Sequence, residues 1–116
     1  MAGVNKVIIL GNLGKDPELR QISNGSNVCN LTVATSEVWF DKDKQKQERT
    51  EWHKVVVWSK QAENCAKYLT KGSKVYVEGR IQTKEYTDKN GGKAYATEIM
   101  AETIQFLSTN NKQEVF

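Results

Sequence analysis

The stretch TEWHKVVVWS, residues 50–59, decides the fold of this chain of 116 residues. Its side chains alternate in character with a period of two, which is the period of a β-strand. One face of the strand carries His53, Val55 and Val57, and the other carries Trp52, Lys54, Val56 and Trp58. The pattern predicts a strand whose valine face packs on a core, with two tryptophans and a lysine on the opposite face.

Upstream of this stretch the sequence predicts two more strands and their turns. Residues 4–13 are rich in β-branched residues, and Asp16-Pro17 interrupts them because proline cannot donate to a strand ladder. Asn24-Gly25 suits a tight turn with positive φ, and the alternation over residues 29–34 predicts a half-buried second strand. Residues 41–49 carry seven charges among nine positions and no apolar side chain, so we predict a mobile loop there.

Downstream the pattern changes to one short helix and two further strands. Helical spacing is shared by four small or apolar residues, Ala62, Cys65, Ala66 and Leu69. Gly72 is expected to be the glycine that ends this helix. Residues 75–86 and 94–107 alternate as strands on either side of a turn at residues 88–92.

This order of elements predicts an all-β fold, a five-stranded OB-fold barrel with one short helix between strands 3 and 4. A mixed α+β sheet would give a similar order, because closure into a barrel cannot be read from periodicity. We assign residues 1–107 to a single binding domain and residues 108–116 to a short polar C-terminal tail.

Composition excludes several classes of protein. No apolar run approaches the roughly 20 residues of a membrane span, and no signal peptide opens the chain, so we expect a cytoplasmic protein without a membrane partner. Cys29 and Cys65 are far apart and His53 is the only histidine, which argues against a zinc site and favours two buried, reduced thiols. No catalytic motif occurs, so we predict no catalytic residue and no enzyme, and we predict no metal ligand.

The positions of the charges indicate more than their sum, since 17 basic and 14 acidic residues leave a net charge of only +3. Single-stranded nucleic acid offers base faces that stack on aromatic rings and phosphates that attract cations. Residues 50–59 provide rings and a lysine, and Trp39, Lys84 and Tyr86 add to them from other strands. Tryptophans buried in the core are the competing interpretation. We favour a binding face, because valines already fill the other side of the strand.

Six ordered blocks of sequence carry a resemblance to a known family. They are residues 4–8 (VNKVI), 11–14 (GNLG) with 16–18 (DPE), 34–37 (ATSE), 50–53 (TEWH), 68–69 (YL) with 71–72 (KG), and 75–79 (VYVEG). In this order and spacing the chain resembles the bacterial and mitochondrial type of single-stranded DNA-binding protein over about residues 3–107. The resemblance implies a homotetrameric OB-fold that protects single-stranded DNA during replication, recombination and repair, without strong sequence preference and without a cofactor.

The resemblance also implies roles for individual residues. It maps base stacking onto Trp39, Trp52, Trp58 and Tyr86. It maps phosphate contacts onto Arg20, Lys42, Lys54, Lys60, Lys71 and Lys84. It places His53 and Lys74 at the oligomer interface. Phe40 and Gln82 stand where many relatives carry basic residues, and Tyr86 where many carry tryptophan, which predicts somewhat weaker phosphate contact.

The C-terminal residues differ from those of many relatives, which continue into a flexible linker and an acidic tip ending in Pro-Phe that recruits replication and repair proteins. Residues 113–116, QEVF, keep only a terminal phenylalanine and one acid. The sequence is therefore either a shortened piece of a longer chain or a short version that does not recruit those partners in the usual way.

Two other functions stay open on the sequence alone. One is an OB-fold RNA binder or primosomal accessory protein, because stacking on aromatic rings does not distinguish ribose from deoxyribose. The other is a structural oligomer whose tryptophans lie in subunit contacts, where aromatic residues are enriched.

Overall fold

The computed structural model describes residues 2–22 and 24–108, and these form six strands and one helix. In chain order the strands are β1 (Val7–Leu13), β2 (Glu18–Gln21), β3 (Asn27–Phe40), β4 (Lys46–Trp58), β5 (Lys74–Thr87) and β6 (Lys93–Phe106). The helix, α1 (Ser59–Tyr68), lies between β4 and β5. Within this part of the chain, no helix is long and apolar enough to cross a membrane.

Five of the strands close a barrel in the order β1-β3-β4-β6-β5. β1 pairs with β5 along its length and with β3 through its C-terminal end, so both edges of the sheet meet at β1. The pairs are antiparallel except for β4 and β6, which run parallel. The predicted barrel, with its helix between the third and fourth barrel strands, is confirmed, and the open α+β sheet is excluded because β1 joins both edges.

Two glycines let neighbouring strands approach closely enough for this closure. A Cβ atom at Gly11 would overlap the carbonyl oxygen of Ala34 on β3, and a Cβ atom at Gly79 would overlap that of Met100 on β6. Gly79 also lies at an irregularity in the β5–β6 ladder, where Glu102 has no opposite partner. A bulge of this kind increases local twist, which helps a long hairpin to curve around a barrel.

The core is filled from the inward sides of β3, β4 and β5. Its largest fully buried side chains are Leu31, Val33, Val55, Val57, Val75 and Val77. Helix α1 packs on the barrel through Ala62 and Cys65. Cys29 and Cys65 are free and buried, as predicted, and burial raises the pKa of Cys29 to about 11 and that of Cys65 to about 12. Both thiols are therefore protonated and unreactive at neutral pH.

The prediction of a mobile loop over residues 41–49 is wrong. β3 continues to Phe40 and β4 begins at Lys46, so the connection is a short turn of residues 41–45. Asp41 organises this turn, because its Oδ1 accepts hydrogen bonds from the backbone N–H groups of Asp43 and Gln45, both at 2.9 Å. Charge does not prevent strand formation here, since the ends of β3 and β4 pair only with each other and leave their side chains in solvent.

A further strand, β2, follows Asp16-Pro17, where the sequence predicted only a turn. It pairs with the outer edge of β3 and does not take part in barrel closure. Its four residues are all exposed, so no apolar alternation marks it in the sequence. The tight turn predicted at Asn24-Gly25 joins β2 to β3, with Gly25 at a φ of 87°.

The other predicted turns are also present, with one correction. Gly91 has a φ of 82° in the turn between β5 and β6, as expected for residues 88–92. Gly72 does not end the helix, because α1 ends at Tyr68 and is followed by Leu69 in extended conformation. Gly72, with a φ of 94°, instead lies in the turn that leads into β5. Most of the predicted tail, residues 109–116, lies outside the described residues.

Candidate nucleic-acid interface

One outer surface of the barrel brings together most of the predicted binding side chains. It consists of the outward sides of β4, β5 and β6, bordered by β2 and β3. We call it the aromatic face and define it by Arg20, Trp52, Lys54, Trp58, Lys84 and Tyr86. Two adjoining clefts cross it. Trp58 and Arg20 line one, Lys54 and Tyr86 line the other, and Lys84 lines both.

The rings of the aromatic face are exposed to solvent. Trp52, Trp58 and Tyr86 are 60 %, 41 % and 50 % exposed, whereas Val55 and Val57 are fully buried. This burial confirms that Val55 and Val57 face the core and that Trp52 and Trp58 do not, so the interpretation of the β4 tryptophans as core residues is wrong. Val56, on the tryptophan side, is nevertheless buried, at 6 % exposure. Grouped, exposed apolar surface of this kind is typical of a place where another molecule binds.

The backbone of Gly14 supports the ring of Trp52. A Cβ atom at Gly14 would overlap the indole ring. The Gly14 N–H donates to the carbonyl oxygen of Thr32 at 2.8 Å, which holds the glycine beside β3. A residue with a side chain would therefore push the ring out of its place. This contact could not be predicted from the sequence, since it joins the end of β1 to the middle of β4.

The cation at the centre of the aromatic face is paired with an acid. Lys54 Nζ lies 3.3 Å from Glu98 Oε2, and the side chain of Glu98 is 10 % exposed against 54 % for Lys54. Glu98 lines both clefts of the face together with Lys84. Sequence analysis missed Glu98, because alternation marks β6 as a strand without showing which of its residues would lie beside β4.

Trp39 lies apart from the other aromatic residues. β3 and β4 pair without interruption, and Ala34 is directly opposite Trp52. Because side chains alternate along a strand, Trp39, five residues after Ala34, lies on the other side of the β3–β4 ribbon. Phe40, which is 66 % exposed, instead shares the side of Trp52.

The remaining predicted phosphate-contacting residues lie on different elements of the structure. Arg20 on β2 lines the same cleft as Trp58. Lys42 is in the turn between β3 and β4, Lys60 is in the first turn of α1, and Lys71 is in the turn before β5. The structure thus places one of these four cations on the aromatic face, two in turns and one in the helix.

Nothing in residues 2–22 and 24–108 is arranged like a metal centre, since no three or more His, Cys, Asp or Glu side chains group together there. His53 Nε2 makes its hydrogen bond, at 2.8 Å, with the hydroxyl of Thr35 and not with a thiol. The aromatic face itself offers exposed rings for stacking and cations for charge attraction.

Comparison with known proteins agrees with this geometry. Residues 4–107 match the model of the Single-strand binding protein family. The chain belongs to this family. "Single-stranded DNA-binding protein 1" of Chlorobaculum tepidum is 49 % identical over 110 residues, which are 94 % of this chain and 68 % of that protein. The resemblance found in the sequence is confirmed.

Solved structures of the family share the fold. A chain of the Plasmodium falciparum SSB complex with ssDNA superposes with a TM-score of 0.85 at 28 % identity, covering 93 % of this chain and 98 % of that one. A deletion mutant of the Thermus aquaticus single-stranded DNA binding protein gives a TM-score of 0.78 at 30 % identity, covering 91 % of this chain and 51 % of that one. These matches agree with the OB-fold barrel described above.

Neither of the two residues predicted at the oligomer interface of this family member belongs to the aromatic face, although His53 lines one cavity with Trp52 and Lys54. His53 is half-buried and bonded to Thr35, on the valine side of β4. Lys74 is exposed at the start of β5, next to β1. On the same outer side of the β1–β5 pair as Lys74, the side chains of Ile8 and Leu10 on β1 are 58 % and 52 % exposed to solvent.

A charged cluster lies beside these apolar residues, on the outer surface of β1 and β5. The Lys6 ammonium lies 3.0 Å from the Glu78 carboxylate, and the Tyr76 hydroxyl donates to the other oxygen of that carboxylate. Hydrogen bonds from Tyr76 and Lys6 lower the pKa of Glu78, and the same bonds raise the pKa of Lys6 and that of Tyr76. The cluster is therefore polar but locally neutral.

Proposed function

We propose that this single-stranded DNA-binding protein holds DNA on its aromatic face by stacking bases on Trp52, Trp58 and Tyr86. The observation that carries the proposal is the set of exposed rings on the outward sides of strands whose inward sides are buried. Base stacking on an aromatic ring contributes about 1–3 kcal/mol per base and tolerates any sequence, because every base has a π face. The membership of the family and the name of the Chlorobaculum tepidum relative support DNA as the ligand.

Phosphate contacts in this proposal come from the cations beside the rings. Lys54 and Lys84 line the same cleft as Tyr86. Arg20 lines the same cleft as Trp58. Three further cations, Lys42, Lys60 and Lys71, extend the path of the strand into the adjoining turns and α1. Trp39 joins the proposal as a stacking residue that DNA reaches by passing around the β3–β4 ribbon.

The proposal also covers the biological role. The protein would protect exposed single strands in the cytoplasm during replication, recombination and repair, without catalysis and without a cofactor. Residues 1–107 would form the binding domain, followed by the polar tail of residues 108–116. The resemblance in sequence supports these roles.

A fluorescence titration tests the binding mechanism. We expect single-stranded oligonucleotides of increasing length to quench the tryptophan fluorescence, with similar affinity for different base compositions. Raising the salt concentration should weaken binding steeply, with a log–log slope of about −0.7 for each phosphate contacted. A flat salt dependence, or fluorescence that DNA leaves unchanged, would contradict the proposal and favour a purely structural oligomer. Competition between poly(dT) and poly(rU) separates DNA from RNA binding.

We further propose that four copies assemble into a homotetramer with His53 and Lys74 near subunit contacts. The exposed Ile8 and Leu10 on β1 support this, since apolar side chains on the outside of a barrel strand are better covered than hydrated. Sedimentation at micromolar concentration is expected to give the mass of a tetramer. Sedimentation as a monomer at that concentration would overturn the assembly and leave the DNA-binding proposal standing.

A further inference from the structure

Glu98 carries a negative charge in the surface that we propose binds a polyanion. It is 8 % exposed and, with Ser73, one of two buried polar or charged side chains among residues 2–22 and 24–108. It lies on β6 opposite Gln82, at the floor of both clefts of the aromatic face. A carboxylate there repels any phosphate that enters, and its burial also costs solvation free energy.

The contacts of Glu98 show what it does in the free protein. Among the described residues, the Glu98 carboxylate has one ionic or hydrogen-bonding partner. That partner is the Lys54 ammonium group, at 3.3 Å. Four other ion pairs occur there, and each joins two side chains that are at least 31 % exposed. The Lys54–Glu98 pair is thus the one with a buried member, where solvent screens the attraction least.

We propose that Glu98 is a resident counterion for Lys54 and sets the affinity and salt dependence of DNA binding. This inference rests on the proposed function of the aromatic face. A DNA phosphate that approaches Lys54 competes with the Glu98 carboxylate for the same ammonium group. Lys54 therefore adds less net charge to the face than its exposed position indicates, and binding is weaker and more easily reversed than Arg20, Lys54 and Lys84 alone would make it.

The charge of Glu98 can be removed without changing its shape. We expect Glu98→Gln to bind oligo(dT) more tightly, on the order of tenfold at physiological salt, because one buried negative charge beside the phosphates is gone. For each subunit that the oligonucleotide contacts, the slope of log K against log salt should become steeper by about 0.7, since Lys54 then neutralises a phosphate fully. Lys54→Ala should do the reverse, weakening binding and making the slope shallower by about 0.7 for each contacted subunit. The double variant should return to the slope of the unaltered protein.

Glu102→Gln is the matched control, because it makes the same change of charge on the same strand. Glu102 is exposed and lies about 13 Å from Glu98 along β6, beyond the screening length at physiological salt. For Glu102→Gln, the slope of log K against log salt should equal that of the unaltered protein. Melting curves of all variants, followed by circular dichroism, show that the protein compared is folded.

The results separate this inference from the function on which it depends. If the unaltered protein binds oligo(dT) with the expected salt dependence and Glu98→Gln leaves the slope unchanged or weakens binding, Glu98 is a structural residue and the inference is overturned. If Glu102→Gln steepens the slope as much as Glu98→Gln does, the effect comes from total charge and the inference fails as well. If the unaltered protein does not bind oligo(dT) at all, the proposed function fails and the inference fails with it.

Discussion

Trp52→Ala is expected to weaken the binding of single-stranded DNA about tenfold or more while the protein stays folded. The ring is 60 % exposed and rests on the outer side of the barrel at Gly14, so its loss opens no cavity in the core. It removes a stacking platform worth about 1–3 kcal/mol, and about 1.4 kcal/mol corresponds to a factor of ten in affinity. Fluorescence anisotropy of a labelled oligo(dT) measures the change without relying on the tryptophans themselves.

Tyr95→Ala is the control for this experiment, because it removes another exposed aromatic ring. Tyr95 is 64 % exposed and pairs with Glu85, on the side of the β5–β6 hairpin opposite Lys84 and Tyr86. The variant should bind oligo(dT) as the unaltered protein does. Equal losses in the two variants would mean that exposed rings contribute without regard to their position, and a Trp52→Ala protein that unfolds would show that the ring is structural.

Val57→Ala is expected to lower stability and to leave the affinity of the folded protein nearly unchanged. Val57 is fully buried, opposite Cys29 on β3. The substitution removes two carbon atoms, worth about 0.8 kcal/mol each, and leaves a cavity, so we expect a loss of about 2 kcal/mol and a decrease of about 10 °C in Tm. Thermal unfolding monitored by circular dichroism, together with the oligo(dT) titration at 20 °C, measures both properties.

The neighbouring residue makes this test sharper. Trp58 follows Val57 directly and lies on the outer side of β4 at 41 % exposure. Trp58→Ala should therefore weaken binding and change Tm little, the opposite of Val57→Ala. If Val57→Ala abolished binding at full stability while Trp58→Ala unfolded the chain, the two sides of β4 would be assigned backwards and the stacking mechanism would fall with them.

Local sequence pattern was sufficient to predict much of the burial and secondary structure of this protein. The alternation over residues 50–59 separated buried Val55 and Val57 from exposed Trp52 and Trp58, because successive side chains in a strand point to opposite sides whatever surrounds them. Helical spacing found α1, and the turn chemistry of Gly25 and Gly91 found two connections. The same logic was wrong for residues 41–49, where it equated charge with a loop, and it missed β2, whose residues are all exposed.

Only the closed barrel brings the side chains of the site together. Lys54 and Glu98 are 44 residues apart, and they meet because β4 and β6 pair in parallel, a contact that exists only after the barrel has closed. Gly14 supports Trp52 for the same reason, since the end of β1 reaches β4 only through the fold. Sequence by itself determined which side of β4 faces the core, because the alternation of side chains along a strand is local. Tertiary structure decided which outward side chains become neighbours, because pairing between distant strands sets the distances between them.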